Sequence, residues 1–313
     1  MLNYMDLICS IYYNFPSLGG KTYFDRILNK VLELIFKRIL DLVVPHYFAN
    51  NSVNTPLGIN TLKRDKHFVV SLTTFPARIE LVWITVECLL RQTYKPDEIV
   101  IWLSNDQFSG LDTLPQSLLT LQQRGLKIMF CDGDMKAHKK YLYTFSIFPD
   151  SYIITVDDDL YYDKRLVERV VKLHNSYPDN ISANRAHRMT IKNEEVAPYK
   201  EWIKRISFRE PSHLNFSTGG GGTLYPPNVL DLKSYDENLI KNLCYNADDV
   251  WLKVMSILSQ RKVVTNKYYT RNFIAVGKTQ NDKLVNHNVH EGGNDIQLKS
   301  LIDFFSIDIS QLE

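Results

Sequence analysis

Residues 151–159 read SYIITVDDD: a short apolar run, rich in β-branched residues, that ends in three adjacent carboxylates. A strand with no polar face is buried on both sides, and such strands belong to parallel sheets covered by helices. Working back toward the N-terminus, KAHKKYLYTFSIF (136–148) has helical spacing, LKIMFC (126–131) is strand-like and TLPQSLLTLQQRG (113–125) is helical. EIVIWLS (98–104), IELVWITVECLLRQT (79–93) and HFVVSLT (67–73) repeat the alternation. The order βαβαβαβ predicts an α/β fold, a mostly parallel central sheet flanked by helices. Ligands of such sheets bind beyond the carboxyl ends of the strands, which is where the acidic run falls.

Three carboxylates at one strand end repel one another, and a cation or backbone donors must offset that cost. Side chains alternate along an extended chain, so Asp157 and Asp159 are expected on one side and Asp158 on the other. Two hard oxygen ligands suit Mg²⁺ or Mn²⁺, ions that also take water and phosphate oxygens. The plainer alternative is that the run caps the helix DKRLVERVVKLHNSY (163–177). Its position after a buried strand favours the metal.

A second acidic pair, Asp248 and Asp249, opens the amphipathic helix of LCYNADDVWLKVMSIL (243–258). One of the two is a natural cap and the other a carboxylate available as general base. Between the acidic sites lies STGGGGTLYPP, in which Gly219–Gly222 exclude regular helix and let backbone approach a ligand closely.

The rest of the chain bounds these readings. Across 313 residues, 37 Lys+Arg face 35 Asp+Glu for a net charge of +2, which excludes nucleic-acid binding driven by overall charge. Cys9, Cys88, Cys131 and Cys244 form no C-x-x-C pair and read as reduced, buried thiols of a cytoplasmic protein. FPSLGGKT (15–22) ends like a phosphate-binding loop but carries Phe15 where the first glycine is required. Residues 22–44 form a helix with a wide apolar face, interrupted by charges too often to span a membrane. That face is expected to pack on the catalytic domain, on a second copy, or peripherally on the inner face of the membrane. Pro45 is expected to end it and the following Asn- and Pro-rich stretch to be a linker, giving an N-terminal helical extension over 1–60 and a catalytic domain over 61–313.

The ordered set VVSLTTFPARI, LLRQTYKPDEIVIWLS, HKKYLYTF, ITVDDDL, SANRAHR, TGGGGTLYPP and ADDVWLK resembles glycosyltransferases of the GT-A fold, close to the family 2 type of capsule, lipopolysaccharide and other surface-polysaccharide synthesis. The resemblance covers roughly residues 67–300. It implies a metal-dependent, inverting transfer of sugar from a nucleotide-sugar, commonly a UDP-sugar, to a hydroxyl of a glycan or lipid-linked acceptor. Asp157 and Asp159 match the D-x-D element that holds Mn²⁺ or Mg²⁺ and the donor diphosphate, with Asp158 beside them. The family's later acidic pair, usually Glu-Asp, is here Asp248-Asp249, and Asp249 is taken as the base. Thr73, Thr74, Arg78, Asn105 and Asp106 fall where the family builds its nucleotide pocket, and Lys139 or Lys140 reaches toward phosphate. Asn184, Arg185, His187 and Arg188, together with Gly220 and Gly221, match the loops around donor sugar and acceptor. A late histidine, His287 or His290, occupies the place of a third metal ligand. A sugar-phosphate nucleotidylyltransferase would carry a glycine-rich signature where this chain has SLTTFPARI. The remaining alternative is a catalytically inactive glycan- or nucleotide-binding protein on the same fold.

Overall fold

A computed structural model describes residues 4–14, 23–51, 55–207, 210–269, 271–277 and 292–312. The near-miss phosphate loop at 15–22 and both His287 and His290 lie outside the described residues. Helices α1 (Tyr4–Asn14) and α2 (Tyr23–Asn51) precede the alternating region. There follow β1 (Phe68–Thr73), α3 (Val82–Leu90), β2 (Glu98–Ser104), α4 (Gln116–Leu119), β3 (Leu126–Cys131), α5 (Lys139–Ile147), β4 (Tyr152–Thr155) and α6 (Leu166–Ser176). The second half carries short strands: β5 (Ile181–Ala183), β6 (Ala186–Arg188), β7 (Ile191–Lys192), β8 (Glu195–Val196), β9 (Asn215–Ser217) and β10 (Thr223–Tyr225). It closes with α7 (Glu237–Leu243), α8 (Asp248–Leu258), β11 (Val263–Thr265) and α9 (Gly293–Phe305).

Seven strands form the central sheet in the order β11-β5-β10-β4-β1-β2-β3. β1 pairs in parallel with both β2 and β4, and β2 with β3, as the alternating pattern requires. The uniformly apolar strands are explained by two cores. Phe68, Val70 and Leu72 of β1 and Ile99, Ile101 and Leu103 of β2 point into one cluster, while Val69, Val100 and Trp102 point into the other. The second cluster is completed by Trp251, Val254 and Met255 of α8, so α8 is a core helix on the face opposite α3.

β10 is antiparallel to both its neighbours, β4 and β5. Its first residue, Thr223, therefore lies opposite Thr155 and Ala183, at the carboxyl ends of those strands. This reversal carries the glycines just before β10 to the same edge as the acidic run.

The N-terminal helix departs from the sequence reading. α2 continues through Pro45 to Asn51, so residues 45–51 are helix rather than linker. Pro45 forfeits one backbone bond to the preceding turn. The helix persists because Leu40, Val44 and Phe48, spaced four apart, are fully buried in the cluster that contains α3 and β1. Polar contacts also tie α2 to the body beyond that core, among them Lys37 Nζ donating to the carbonyls of Ala275 (2.7 Å) and Gly277 (2.8 Å). No helix among the described residues is long and apolar enough to cross a membrane. All four cysteines are buried and free.

Candidate active site

The glycine turn passes between side chains with no room for a β-carbon. A methyl group on Gly219 would stand 2.6 Å from Asp249 Oδ1, and one on Gly220 would overlap Asp157 Oδ2. On Gly221 it would lie 2.8 Å from Arg185 Cβ. The backbone of the turn is thus in contact with the acidic strand end, with α8 and with the loop after β5.

Lys140 links the two acidic groups. Its Nζ donates to Asp157 Oδ1 at 2.8 Å and lies 2.8 Å from Asp248 Oδ2, and its side chain is 3% exposed. The second contact is an ion pair rather than an aligned hydrogen bond. Burial alone lowers the proton affinity of Lys140, but Asp157 and Asp248 outweigh it and the ammonium is held well above its ordinary range. Asp248 is pushed up by burial and pulled down further by Lys140, so it stays ionised. Asp249 has no such partner. Its Oδ1 accepts the Gly219 N–H at 2.8 Å, and burial and the neighbouring Asp248 push its pKa up to about 8. Tyr162 closes the ring: its hydroxyl accepts from the Asp157 N–H at 2.9 Å and donates to the Gly220 carbonyl at 2.9 Å.

On the other side of the acidic run, Arg78 forks onto two carboxylates. It reaches Asp158 Oδ1 at 2.6 Å and Asp159 Oδ2 at 3.2 Å, while Thr74 Oγ1 donates to Asp158 Oδ2 at 2.6 Å. Strict alternation would have paired Asp157 with Asp159. β4 ends at Thr155 and the chain bends at 158–159, so Asp158 and Asp159 share Arg78 and Asp157 turns to Lys140. Burial, followed by repulsion from Asp158, pushes the Asp159 carboxyl up to about 7.

Neither acidic run is a helix cap. α6 begins at Leu166, and it is Asp163 Oδ1 that accepts from the Arg165 N–H at 2.8 Å. α8 is preceded by Ala247 with no side-chain cap.

The other residues singled out from sequence fall into two groups. Arg185 stands beside Gly221, its Nε donating to Thr218 Oγ1 at 2.7 Å and its guanidinium 5.1 Å from the centre of the Phe273 ring. Asn105 and Asp106 are exposed at the end of β2, Asn105 bonding Asp132 Oδ1 at 2.7 Å. Thr73 donates to the Trp102 carbonyl at 2.8 Å. The remainder are engaged in the scaffold. Lys139 pairs with Asp134, so its neighbour Lys140 is the lysine at the site. Asn184 donates to the Leu166 carbonyl at 3.1 Å and accepts from Asn266 Nδ2 at 2.6 Å. His187 Nδ1 accepts the Arg205 N–H at 2.9 Å, and burial drops its pKa to about 3, leaving a neutral ring. Arg188 contacts Asn215 Oδ1 at 3.3 Å. Tyr162 was not legible as a site residue, because an aromatic seven positions past the end of β4 gives no signal of where its hydroxyl reaches.

Five carboxylates (Asp157, Asp158, Asp159, Asp248 and Asp249) therefore share two cations, Lys140 and Arg78. Burial first, and then that surplus of negative charge, raise the proton affinities of Asp159 and Asp249. No group of three His, Cys, Asp or Glu able to hold a metal occurs among the described residues. The donor set fits a hard divalent cation that takes one or two carboxylates and completes its shell with substrate oxygens, the habit of Mg²⁺.

The architecture, one antiparallel strand in a parallel sheet with an acidic strand end and a glycine turn at its edge, is that of the GT-A class of α/β transferases. Residues 72–223 match the model of Glycosyl transferase family 2, which supports a glycosyltransferase domain of that type. The matched stretch includes Asp157–Asp159 and the glycine turn and stops short of Asp248 and Asp249. Among solved structures, S. aureus TarS 1–349 aligns with a TM-score of 0.41 at 14% identity, over 66% of this chain and 59% of that one. The same fragment in complex with UDP-GlcNAc aligns with a TM-score of 0.44 at 13% identity, over 78% and 74%. The 4-diphosphocytidyl-2C-methyl-D-erythritol synthase of Anaerococcus prevotii aligns with a TM-score of 0.43 at 14% identity, over 72% and 96%. The match thus spans 59% of the first TarS fragment and 37% of the longer TarS chain. No curated protein sequence matches the chain.

Proposed function

We propose that the chain transfers a sugar, with inversion, from a nucleoside diphosphate sugar to a hydroxyl of a glycan or lipid-linked acceptor, in the synthesis of a surface polysaccharide such as capsule or lipopolysaccharide. UDP is the first donor nucleotide to test. The observation that carries the reading is Asp249, held by the Gly219 N–H across the turn from Asp157, with Lys140 between the two acidic groups. In the transfer, the acceptor oxygen forms a bond to the anomeric carbon as the bond from that carbon to phosphate breaks, and the hydroxyl proton passes to Asp249. A base whose pKa lies near the working pH is well matched to that step. Asp157 and Asp159 would hold a divalent ion, Mn²⁺ or Mg²⁺, which when bound neutralises the departing diphosphate. Lys140 pairs with Asp157 and keeps Asp248 ionised, and Arg78 fixes Asp158 and Asp159 against their mutual repulsion. Arg185, beside the turn, is placed to meet the diphosphate or the acceptor.

The test is calorimetric titration of UDP, GDP, CMP and ADP with and without Mn²⁺, on the wild type and on Asp159→Ala. Metal-dependent binding of one diphosphate, lost in the variant, supports the reading and names the donor nucleotide. No nucleotide bound by folded protein would replace it with an inactive glycan-binding protein. The anomeric configuration of the product, read by NMR, decides inversion.

A further inference from the structure

α2 turns its acidic residues inward and leaves only cations among the described charges it exposes. Its apolar positions Phe24, Ile27, Val31, Leu34, Ile35 and Leu42 follow helical spacing and are exposed, Phe24 and Leu42 to 70%. On α1, which packs against α2, Leu7 and Ile11 are exposed one turn apart. Lys30 and Arg38 are exposed among these apolar positions. The acidic residues are turned to the body: Glu33 accepts from Asn272 Nδ2 at 3.1 Å, and Asp41 accepts from the Tyr161 hydroxyl and the Gly277 N–H, each at 2.8 Å. Asp25 is half-buried in the first turn.

From this segregation we infer that the outer face of α1 and α2 docks on an anionic lipid surface. An apolar stripe flanked by cations alone is the pattern of a helix lying in the membrane interface. A second copy of the chain fits less well, since a self-complementary contact along this face would set Lys30 and Arg38 toward their own copies with no exposed acid beside them among the described residues. Docking there would also place the acidic site close to the bilayer. The inner face of α2 is bonded through Lys37 and Asp41 to residues 275–277. That segment bonds directly to the acidic run, Val276 N–H to the Asp159 carbonyl at 2.7 Å and Ala275 bridged to Leu160. A transferase so held would meet its acceptor at the membrane surface.

The inference is tested by sedimentation of the full chain with vesicles of phosphatidylcholine alone and of phosphatidylcholine mixed with phosphatidylglycerol. The readout is independent of donor or acceptor, so failure here leaves the transferase reading untouched. The wild type is expected to bind the mixed vesicles and release as salt is raised. Lys30→Glu combined with Arg38→Glu should weaken binding by at least about tenfold. Leu34→Glu combined with Leu42→Glu should abolish it while leaving circular dichroism and nucleotide binding unchanged. Wild type that ignores anionic vesicles, or both double variants binding as wild type does, would overturn the inference. So would a dimer in sedimentation equilibrium that Leu34→Glu/Leu42→Glu splits, in protein that binds no vesicle.

Discussion

Two lysines, Lys140 at the mouth of the site and Lys253 on the inner side of α8, are almost equally buried, and the interior treats them in opposite ways. Lys140 touches Asp157 and Asp248, and its proton affinity is raised well above normal despite burial. Lys253 is 1% exposed, its Nζ meets no hydrogen-bond partner among the described residues, and burial drops its pKa to about 7. Burial alone therefore does not decide the charge of a side chain here; the carboxylates around it do. The same contrast holds among the acids. Asp248 has Lys140 and is held down, whereas Asp249, next in sequence, has a backbone N–H and is pushed up. The site keeps one committed carboxylate beside one that can exchange a proton.

The sharpest way to break that contrast is at Asp249. Asp249→Asn preserves shape and the contact with Gly219 but removes the proposed base, and kcat should fall by about 10²- to 10⁴-fold with donor affinity nearly unchanged. Only the ionised carboxylate accepts a proton, so wild-type kcat/KM should rise with pH through an inflection near the raised pKa of Asp249, about 8. A variant that retained this rise would assign the base elsewhere.

Removing the shared cation should be the next largest effect. Lys140→Met leaves Asp157 and Asp248 facing each other without compensation, and breaking a buried pair from one side costs about 3–5 kcal/mol. Urea unfolding measures that loss. In whatever protein remains folded, the kcat/KM inflection should move to higher pH, because Lys140 also lowers the proton affinity of Asp249. Gly220→Ala attacks the same ring through the backbone instead. Its methyl group overlaps Asp157 Oδ2, so the carboxylate or the turn must shift. About 1–3 kcal/mol of stability should be lost, with a drop in activity, and a Gly220→Ala protein as active as the wild type would show that the turn has slack.

How much of this was legible in the sequence follows from the range over which each feature is determined. β1 to β4 were expected at 67–73, 98–104, 126–131 and 151–156, and lie within a residue of those limits, because each is a largely apolar run bounded by polar turns. β5, β10 and β11 have three residues each, too few for a periodic signal, and their pairing is set by partners some 40 residues or more away. The antiparallel direction of β10, which brings the glycine turn to the acidic edge, was invisible for that reason. The choice between Lys139 and Lys140 needed the phase of α5 against the sheet, and adjacent helical residues differ by about 100°. Arg78 read as a nucleotide contact because nothing local to PAR shows that Asp158, 80 positions on, lies within reach. Pro45 misled in the other direction, since three buried neighbours outweighed a strong local signal.

The gentlest test turns to the second lysine and should reverse the sign of the effect. Lys253→Met keeps the aliphatic stem packed against α8's neighbours and deletes an ammonium that has no partner, so stability should increase at neutral pH, by about 1–2 kcal/mol. The dependence on pH identifies the cause. The folded-state pKa is depressed to about 7, so between that pH and the ordinary lysine value of about 10.4 the unfolded chain holds the extra proton, and wild-type stability should climb with pH. Below about 7 both states are protonated and the penalty is constant and full. The gain from Lys253→Met should accordingly be largest below pH 7 and fade toward pH 10, when urea midpoints are compared across that range. A gain that stayed the same at every pH would mean that the methionine improves packing and that Lys253 had found a partner for its charge after all.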